Sequence, residues 1–75
     1  MKLSFTELAI DSREFNGLQY SLAKALIINR ACDYIMHYLY PHRREDDVIP
    51  YADLADVDFV QQIVNVPVSV APEFH

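Results

Sequence analysis

The chain has 75 residues, of which 52% are hydrophobic, and its 11 acidic residues against six Lys and Arg give a formal net charge of −5. This length suits one small domain, and such an apolar composition with a modest charge excludes an intrinsically disordered chain. The single Cys32 excludes an internal disulfide, and no apolar run is as long as a membrane-spanning helix requires. We therefore expect a folded cytoplasmic protein that does not enter a membrane.

The first predicted element is a short helix over residues 5–12. Ser4 and Glu7 have the spacing of a capping box, and Leu3 and Leu8 have that of the hydrophobic staple around it. The same segment offers an alternative, in which residues 3–6 form a strand that pairs with residues 66–70 against one helical layer. The alternative fold is α+β with a short two-stranded sheet.

A long central helix is predicted over residues 17–39. Asn16 is placed to cap its start and Gln19 to complete the capping box. No residue that breaks a helix follows until Pro41, which restricts the residue before it to extended conformations. This helix is expected to organise the fold.

Two apolar stripes run along the predicted long helix. The first alternates spacings of four and three residues, as in a heptad seam, and we expect it to be buried in the core. Its polar member, Asn29, is a residue type that sets register between paired helices. The second stripe is rich in tyrosine, which is typical of interfaces, and is interpreted as a partner-binding surface. The alternative is that both stripes belong to the core of the chain, with the tyrosine hydroxyls at its rim. The first stripe consists of Leu18, Leu22, Ala25, Asn29, Cys32, Met36 and Leu39, and the second of Tyr20, Ile27, Ala31, Tyr34 and Tyr38.

The remaining chain is predicted to form a charged loop over residues 40–50, a third helix over residues 53–64 and an extended tail over residues 66–75. Asp53 and Asp56 are suitable caps for the third helix, and Pro67 follows its predicted end. The tail alternates valine with other residues, but its two prolines restrict it to the edge of a sheet or to an extended arm.

Charge is distributed unevenly along the chain. Residues 1–44 contain all six Lys and Arg, whereas residues 45–75 contain seven acidic residues and no Lys or Arg. Such an acidic segment repels nucleic-acid phosphates and attracts basic protein surfaces, although acidic residues also serve as solvated loops and helix caps. The candidate partner-binding acidic residues are Glu45, Asp46, Asp47, Asp53, Asp56 and Asp58.

Motifs for catalysis, cofactors and metals are missing from the sequence. Cys32, His37 and His42 are five residues apart, so a helix cannot bring them to one face as metal ligands. The only glycine, Gly17, is too few for a phosphate-binding loop or a calcium loop of the EF-hand type. We expect neither an enzyme nor a cofactor-binding protein.

Together these features predict an all-α domain of three helices built on one long central helix. The expected function is that of a small acidic protein-binding module, a stoichiometric regulator or inhibitor of a partner with a basic or nucleic-acid-binding surface. A homodimer is expected, with no direct contact to nucleic acid. The alternative is a structural subunit of a larger assembly or homo-oligomer.

Overall fold

The fold is α+β, with one long helix and five short strands in two antiparallel sheets among the residues that the structure describes. The computed structural model describes residues 1–42 and 47–71, apart from the side chain of Ser12. The prediction of an all-α domain of three helices is therefore wrong. The α+β alternative has the correct class, but the first strand pairs with residues 63–65 instead of residues 66–70. The helix α1 spans Tyr20–Tyr34, and the strands are β1 Lys2–Ser4, β2 Val48–Pro50, β3 Asp56–Asp58, β4 Ile63–Asn65 and β5 Val68–Val70.

The segment predicted as a helix over residues 5–12 makes one turn and stops. Ser4 acts as the predicted cap, since its Oγ accepts a hydrogen bond from the Glu7 amide at 3.1 Å. Ala9 then adopts a left-handed φ of 54°, and the Ile10 amide turns back to donate to the Phe5 carbonyl at 2.9 Å. A left-handed residue cannot continue a right-handed helix, so the capping signal produces only a turn after β1.

The central helix α1 begins at Tyr20, three residues after the predicted start. Gly17 has a φ of +86° and Gln19 is extended, so neither belongs to the helix. After Tyr34 the helix continues as a π-helical segment, Ile35–Leu39, in which the Tyr40 amide donates to the Ile35 carbonyl at 3.1 Å. The helix ends there because the following Pro41 disfavours helical geometry at Tyr40.

A β-hairpin, preceded by a single 3-10 turn at Ala52–Leu54, replaces the predicted helix over residues 53–64. Strands β3 and β4 pair across the turn 59–62, where Asp58 accepts hydrogen bonds from the amides of Val60 at 2.9 Å and Gln61 at 3.0 Å. Gln62 closes the turn with a φ of +57°. The β-branched residues of this segment favour strands, and Asp58 caps a turn instead of a helix.

The second sheet joins the end of the predicted charged loop to the tail. Strand β2 pairs with β5, so that Ile49 lies opposite Ser69, and the Tyr51 amide extends the pairing by donating to the Pro67 carbonyl at 2.8 Å. The tail is thus extended at a sheet edge. Residues 43–46 of the charged loop and 72–75 of the tail lie outside the described residues.

The core lies between one side of α1 and the inner face of the three-stranded sheet β1-β4-β3. Leu3, Val64 and Val57 form one cross-strand row, and each of these side chains is buried. An ion pair of 3.4 Å between Lys24 and Asp56 links the helix to the edge strand β3. On the helix side, the buried residues are Ala23, Ile27, Ile28, Ala31 and Ile35.

Candidate interaction surface

The helix carries apolar residues on its outer side as well as on the side that packs against the sheet. Leu22 is 48% exposed and Leu26 is 43% exposed, although both belong to a helix that organises the core. A surface helix of a globular protein normally presents polar residues on this side. We call this surface the outer helix face, and it consists of Leu22, Ala25, Leu26, Asn29, Cys32, Met36 and Leu39.

Exposure along the outer helix face is greatest towards its N-terminal end. Ala25 and Asn29 are exposed together with the two leucines, whereas Cys32 and Met36 are half-buried and also contact the core. Leu39, at the C-terminal end, is again 40% exposed. The exposed Asp33 lies one turn after Asn29 on the same side of the helix, so the face is mainly apolar and carries one carboxylate.

This placement corrects the prediction that the heptad-spaced stripe is buried within the chain. The side of α1 that packs on the sheet is centred on Ile27 and Ala31, roughly opposite Leu22 and Asn29. Buried positions there occur at spacings of four, one, three and four residues, from Ala23 to Ile35, which makes a broad stripe. A sheet needs such a broad stripe, whereas a narrow seam with a strict spacing of four and three fits another helix.

The tyrosine-rich stripe, which was interpreted as a partner surface, lies on the side of the helix that contacts the sheet. Ile27 is fully buried and belongs to the core. Tyr20 is exposed at the rim, where its ring lies 5.3 Å from that of Phe59. The Tyr34 and Tyr38 rings stack on each other at 5.3 Å between centroids, and Tyr38 is 74% exposed. The stripe consists of two core residues, Ile27 and Ala31, with tyrosines around them, and only Tyr20 and Tyr38 among its members are exposed.

The candidate acidic residues do not converge on one site. Asp56 and Asp58 lie on the outer side of the edge strand β3, where Asp56 pairs with Lys24 and Asp58 caps the hairpin turn. Asp53 is exposed in the 3-10 turn, and half-buried Asp47 accepts a hydrogen bond at its carbonyl from the Ala71 amide at 2.7 Å. The other two candidates, Glu45 and Asp46, lie outside the described residues.

An aromatic cleft of about 440 Å³ opens beside the N-terminal end of α1. Phe59 forms one wall and makes an edge-to-face contact with Phe5, at 6.2 Å between centroids. Leu18 lines the cleft and is 39% exposed, which connects the cleft with the outer helix face. The size lies within the range of small-molecule pockets, and the lining mixes aromatic rings with the amides of Asn16 and Gln62. Its lining is completed by Phe15, Asn16, Tyr20, Ala23 and Gln62.

Catalytic and metal-binding geometry is not seen in the part of the chain that the structure describes. Across residues 1–42 and 47–71, no three His, Cys, Asp or Glu side chains are grouped closely enough to hold a metal ion. Burial, with a smaller contribution from the nearby Asp33 carboxylate, raises the pKa of the Cys32 thiol above its ordinary value. A thiol with a raised pKa is a poor nucleophile at neutral pH.

Sequence reasoning did not place two members of the outer helix face, Leu26 and Asn29, on the protein surface. Leu26 falls outside the strict heptad spacing, and Asn29 was read as a polar residue inside the core. The heptad spacing itself was the signal, because it marks a surface that fits a second helix.

Among the residues described, no helix is both long and apolar enough to cross a membrane. Comparison with protein-family models, curated proteins and solved structures gave no match to this chain.

Proposed function

We propose that this chain is a small, non-catalytic protein-binding module of the cytoplasm that acts as a stoichiometric regulator or inhibitor. The observation that carries the proposal is the outer helix face, a mainly apolar strip that nothing in residues 1–42 or 47–71 covers. Contiguous exposed apolar surface on a small protein is typical of a protein interface. A chain of this size also gains stability by burying further apolar surface against a partner.

The foreign partner of this module is proposed to have a basic surface. Asp53, Asp56 and Asp58 are exposed on consecutive elements, the 3-10 turn and the edge strand β3. Neither Asp56 nor Asp58 is buried, so both retain carboxylate surface although each has an internal contact. Lys and Arg side chains would be attracted to this edge, and the attraction would weaken with added salt.

Affinity capture with matched variants tests the proposed function. A tagged copy is incubated with an untagged copy in an extract of the cells that make the protein, and every retained protein is quantified relative to the tagged chain. Leu22→Glu places a charge on the outer helix face, whereas Ile49→Glu does so in β2 at an isoleucine that is 45% exposed. We expect protein retained at a fixed molar ratio by the wild type and Ile49→Glu, and lost with Leu22→Glu.

The proposal fails if the wild type retains neither its untagged copy nor another protein above the level of Leu22→Glu. It also fails if Leu22→Glu and Ile49→Glu reduce retention equally, since the outer helix face would then have no special role. Circular dichroism of each variant checks that helix content is unchanged, as expected for substitutions at exposed positions.

A further inference from the structure

Four aromatic side chains from separate segments of the chain meet at the cleft beside the N-terminal end of α1. Phe5 follows β1, Phe15 ends a 3-10 turn, Tyr20 begins α1 and Phe59 opens the hairpin turn. The Phe5 amide donates to the Gln62 carbonyl at 2.9 Å, which ties the first of these segments to the hairpin. The backbone therefore holds these walls in place before any ligand binds.

The rings that contact each other in the cleft lie in different planes. Phe59 makes an interplanar angle of 86° with Phe5 and of 52° with Tyr20. Phe5 is only 3% exposed and forms the floor, whereas Tyr20 is 63% exposed and lies at the rim. A flat aromatic ligand stacks best between parallel rings, which neither pair provides. Rings in different planes surround a compact, rounded group instead, as in the aromatic cages that bind quaternary ammonium ions.

The lining of the cleft carries no formal charge. Its polar members are the amides of Asn16 and Gln62, and none of the described residues that line it is acidic or basic. A carboxylate or phosphate ligand would need a Lys or Arg here, and an ordinary ammonium group would need a carboxylate to compensate for its lost water. A quaternary ammonium group has no N–H to leave unpaired, so an aromatic lining is sufficient to bind it.

The charges around the cleft favour a cation over an anion. Residues 1–42 and 47–71 contain four Lys and Arg, and three of them, Arg13, Lys24 and Arg30, are paired with carboxylates. The whole chain has a formal net charge of −5. A cationic ligand that approaches the chain is therefore attracted, and an anionic one is repelled.

We propose that the aromatic cleft binds a quaternary ammonium group, held against Tyr20 and Phe59 above Phe5. The group recognised is a trimethylammonium head, carried either by a choline-like small molecule or by a trimethylated lysine. The volume of about 440 Å³ admits this head together with the first atoms attached to it. Binding here goes beyond the proposed function, because Tyr20 and Phe59 lie outside the outer helix face.

Choline and its uncharged isostere, the alcohol in which tert-butyl replaces trimethylammonium, test the requirement for charge. Each is titrated to about 50 mM at constant ionic strength while NMR follows the Leu18 methyl signals and the ring signals of Tyr20 and Phe59. We expect choline to shift these signals with a dissociation constant on the order of 1 mM. The isostere should bind at least tenfold more weakly, because it lacks the attraction of a cation to several rings.

Tyr20→Leu tests the place of binding. Leucine keeps an apolar side chain at the rim but removes the ring, and Tyr38→Leu does the same at a tyrosine that is 74% exposed and does not line the cleft. We expect Tyr20→Leu to weaken choline binding roughly two- to fivefold and Tyr38→Leu to leave it unchanged. Both tyrosines are exposed, so circular dichroism should show the same helix content in both variants.

A lysine derivative distinguishes the two sources of the head group. Trimethyl-lysine with its backbone blocked as acetyl and amide is titrated in the same way, beside the same compound without the methyl groups. Tighter binding of the trimethylated compound than of choline assigns the cleft to a methylated protein, and weaker binding assigns it to a small molecule. Either result supports recognition of the head group, whereas equally tight binding of the unmethylated lysine would overturn it.

Three further outcomes would overturn the quaternary ammonium site. One is that choline shifts none of the cleft signals at about 50 mM, and another is that the uncharged isostere binds as tightly as choline. The third is that Tyr20→Leu and Tyr38→Leu weaken binding equally. Each of these results leaves the affinity capture with Leu22→Glu unaffected, since that experiment reports on the outer helix face alone.

Discussion

Gln62→Gly distinguishes the hairpin of this structure from the helix that the sequence predicts. Gln62 closes the turn between β3 and β4 with a φ of +57°, a conformation that glycine adopts without steric cost. The left-handed conformation costs an ordinary residue roughly 1–2 kcal/mol, and glycine returns about 0.5–1 kcal/mol of that as extra chain entropy. We therefore expect the substitution to stabilise the fold by about 0.5–1 kcal/mol.

Thermal unfolding followed by circular dichroism measures this effect. For a domain of this size, about 0.5–1 kcal/mol raises the midpoint by roughly 2–8 °C. Gln62→Ala is the control, because it removes the same side chain while keeping the cost of the left-handed backbone, and it should change stability by less than about 0.5 kcal/mol. All samples are compared at one chain concentration, so that association does not differ between them.

A helix over residues 53–64 predicts the opposite sign. Glycine inside a helix is about 1 kcal/mol less favourable than alanine, so Gln62→Gly would lower the midpoint by roughly 4–8 °C. A fall of that size would refute the hairpin assignment. The same reasoning applies to Ala9, whose φ of 54° makes Ala9→Gly a stabilising change.

Three further predictions concern the core, the thiol and pH. Ile27→Ala should lower the free energy of unfolding in urea by about 2–5 kcal/mol, because Ile27 is fully buried. Leu22→Ala should lower it by less than about 1 kcal/mol at low micromolar chain concentration. Equal losses would contradict the assignment of Ile27 to the buried side of α1 and Leu22 to the outer side. Cys32 should react with iodoacetamide at pH 7.5 more slowly than in the urea-unfolded chain, because burial raises its pKa; equal rates would contradict this. Hydrogen bonds from Arg13 lower the pKa of Asp11. The wild type should therefore be more stable than Asp11→Asn above pH of about 4, and this difference should disappear as the pH falls through the lowered pKa. A stability difference that persists at pH 2 would contradict this prediction.

The sequence was informative where a local signal decides the structure alone. Ser4 caps a turn because a hydroxyl three residues before a free amide can accept from it whether or not a helix follows. Pro41 ends the long helix because its ring disfavours helical geometry at Tyr40.

The prediction failed where a local signal fits two structures. Asp53 and Asp56 suit the start of a helix, but in the structure Asp53 lies in a 3-10 turn and Asp56 in β3. The choice depends on Val64, which pairs with Val57 in the hairpin and with the distant Leu3 in β1. Sequence pattern alone does not weigh such distant contacts. Gln62 and Ala9 also contributed to the failure of the prediction, since both have a left-handed backbone that neither residue type indicates.

The heptad-spaced stripe was recognised as a pattern, but the prediction that it is buried is wrong. The expectation of three helices supplied a second helix within the chain to cover it. Once the third helix is replaced by a hairpin, the described residues hold no second long helix to fill the seam. The seam therefore lies on the surface, and the broader stripe around Ile27 packs in the core.

Methyl NMR spectra recorded while the protein retained from the extract is added would test most directly whether the outer helix face is the binding surface. We expect the Leu22, Leu26 and Leu39 methyl signals to shift along one binding curve, while those of Ile49 stay constant. Outer-face methyl signals that do not change at saturation, or changes that occur at Ile49 instead, would contradict the account.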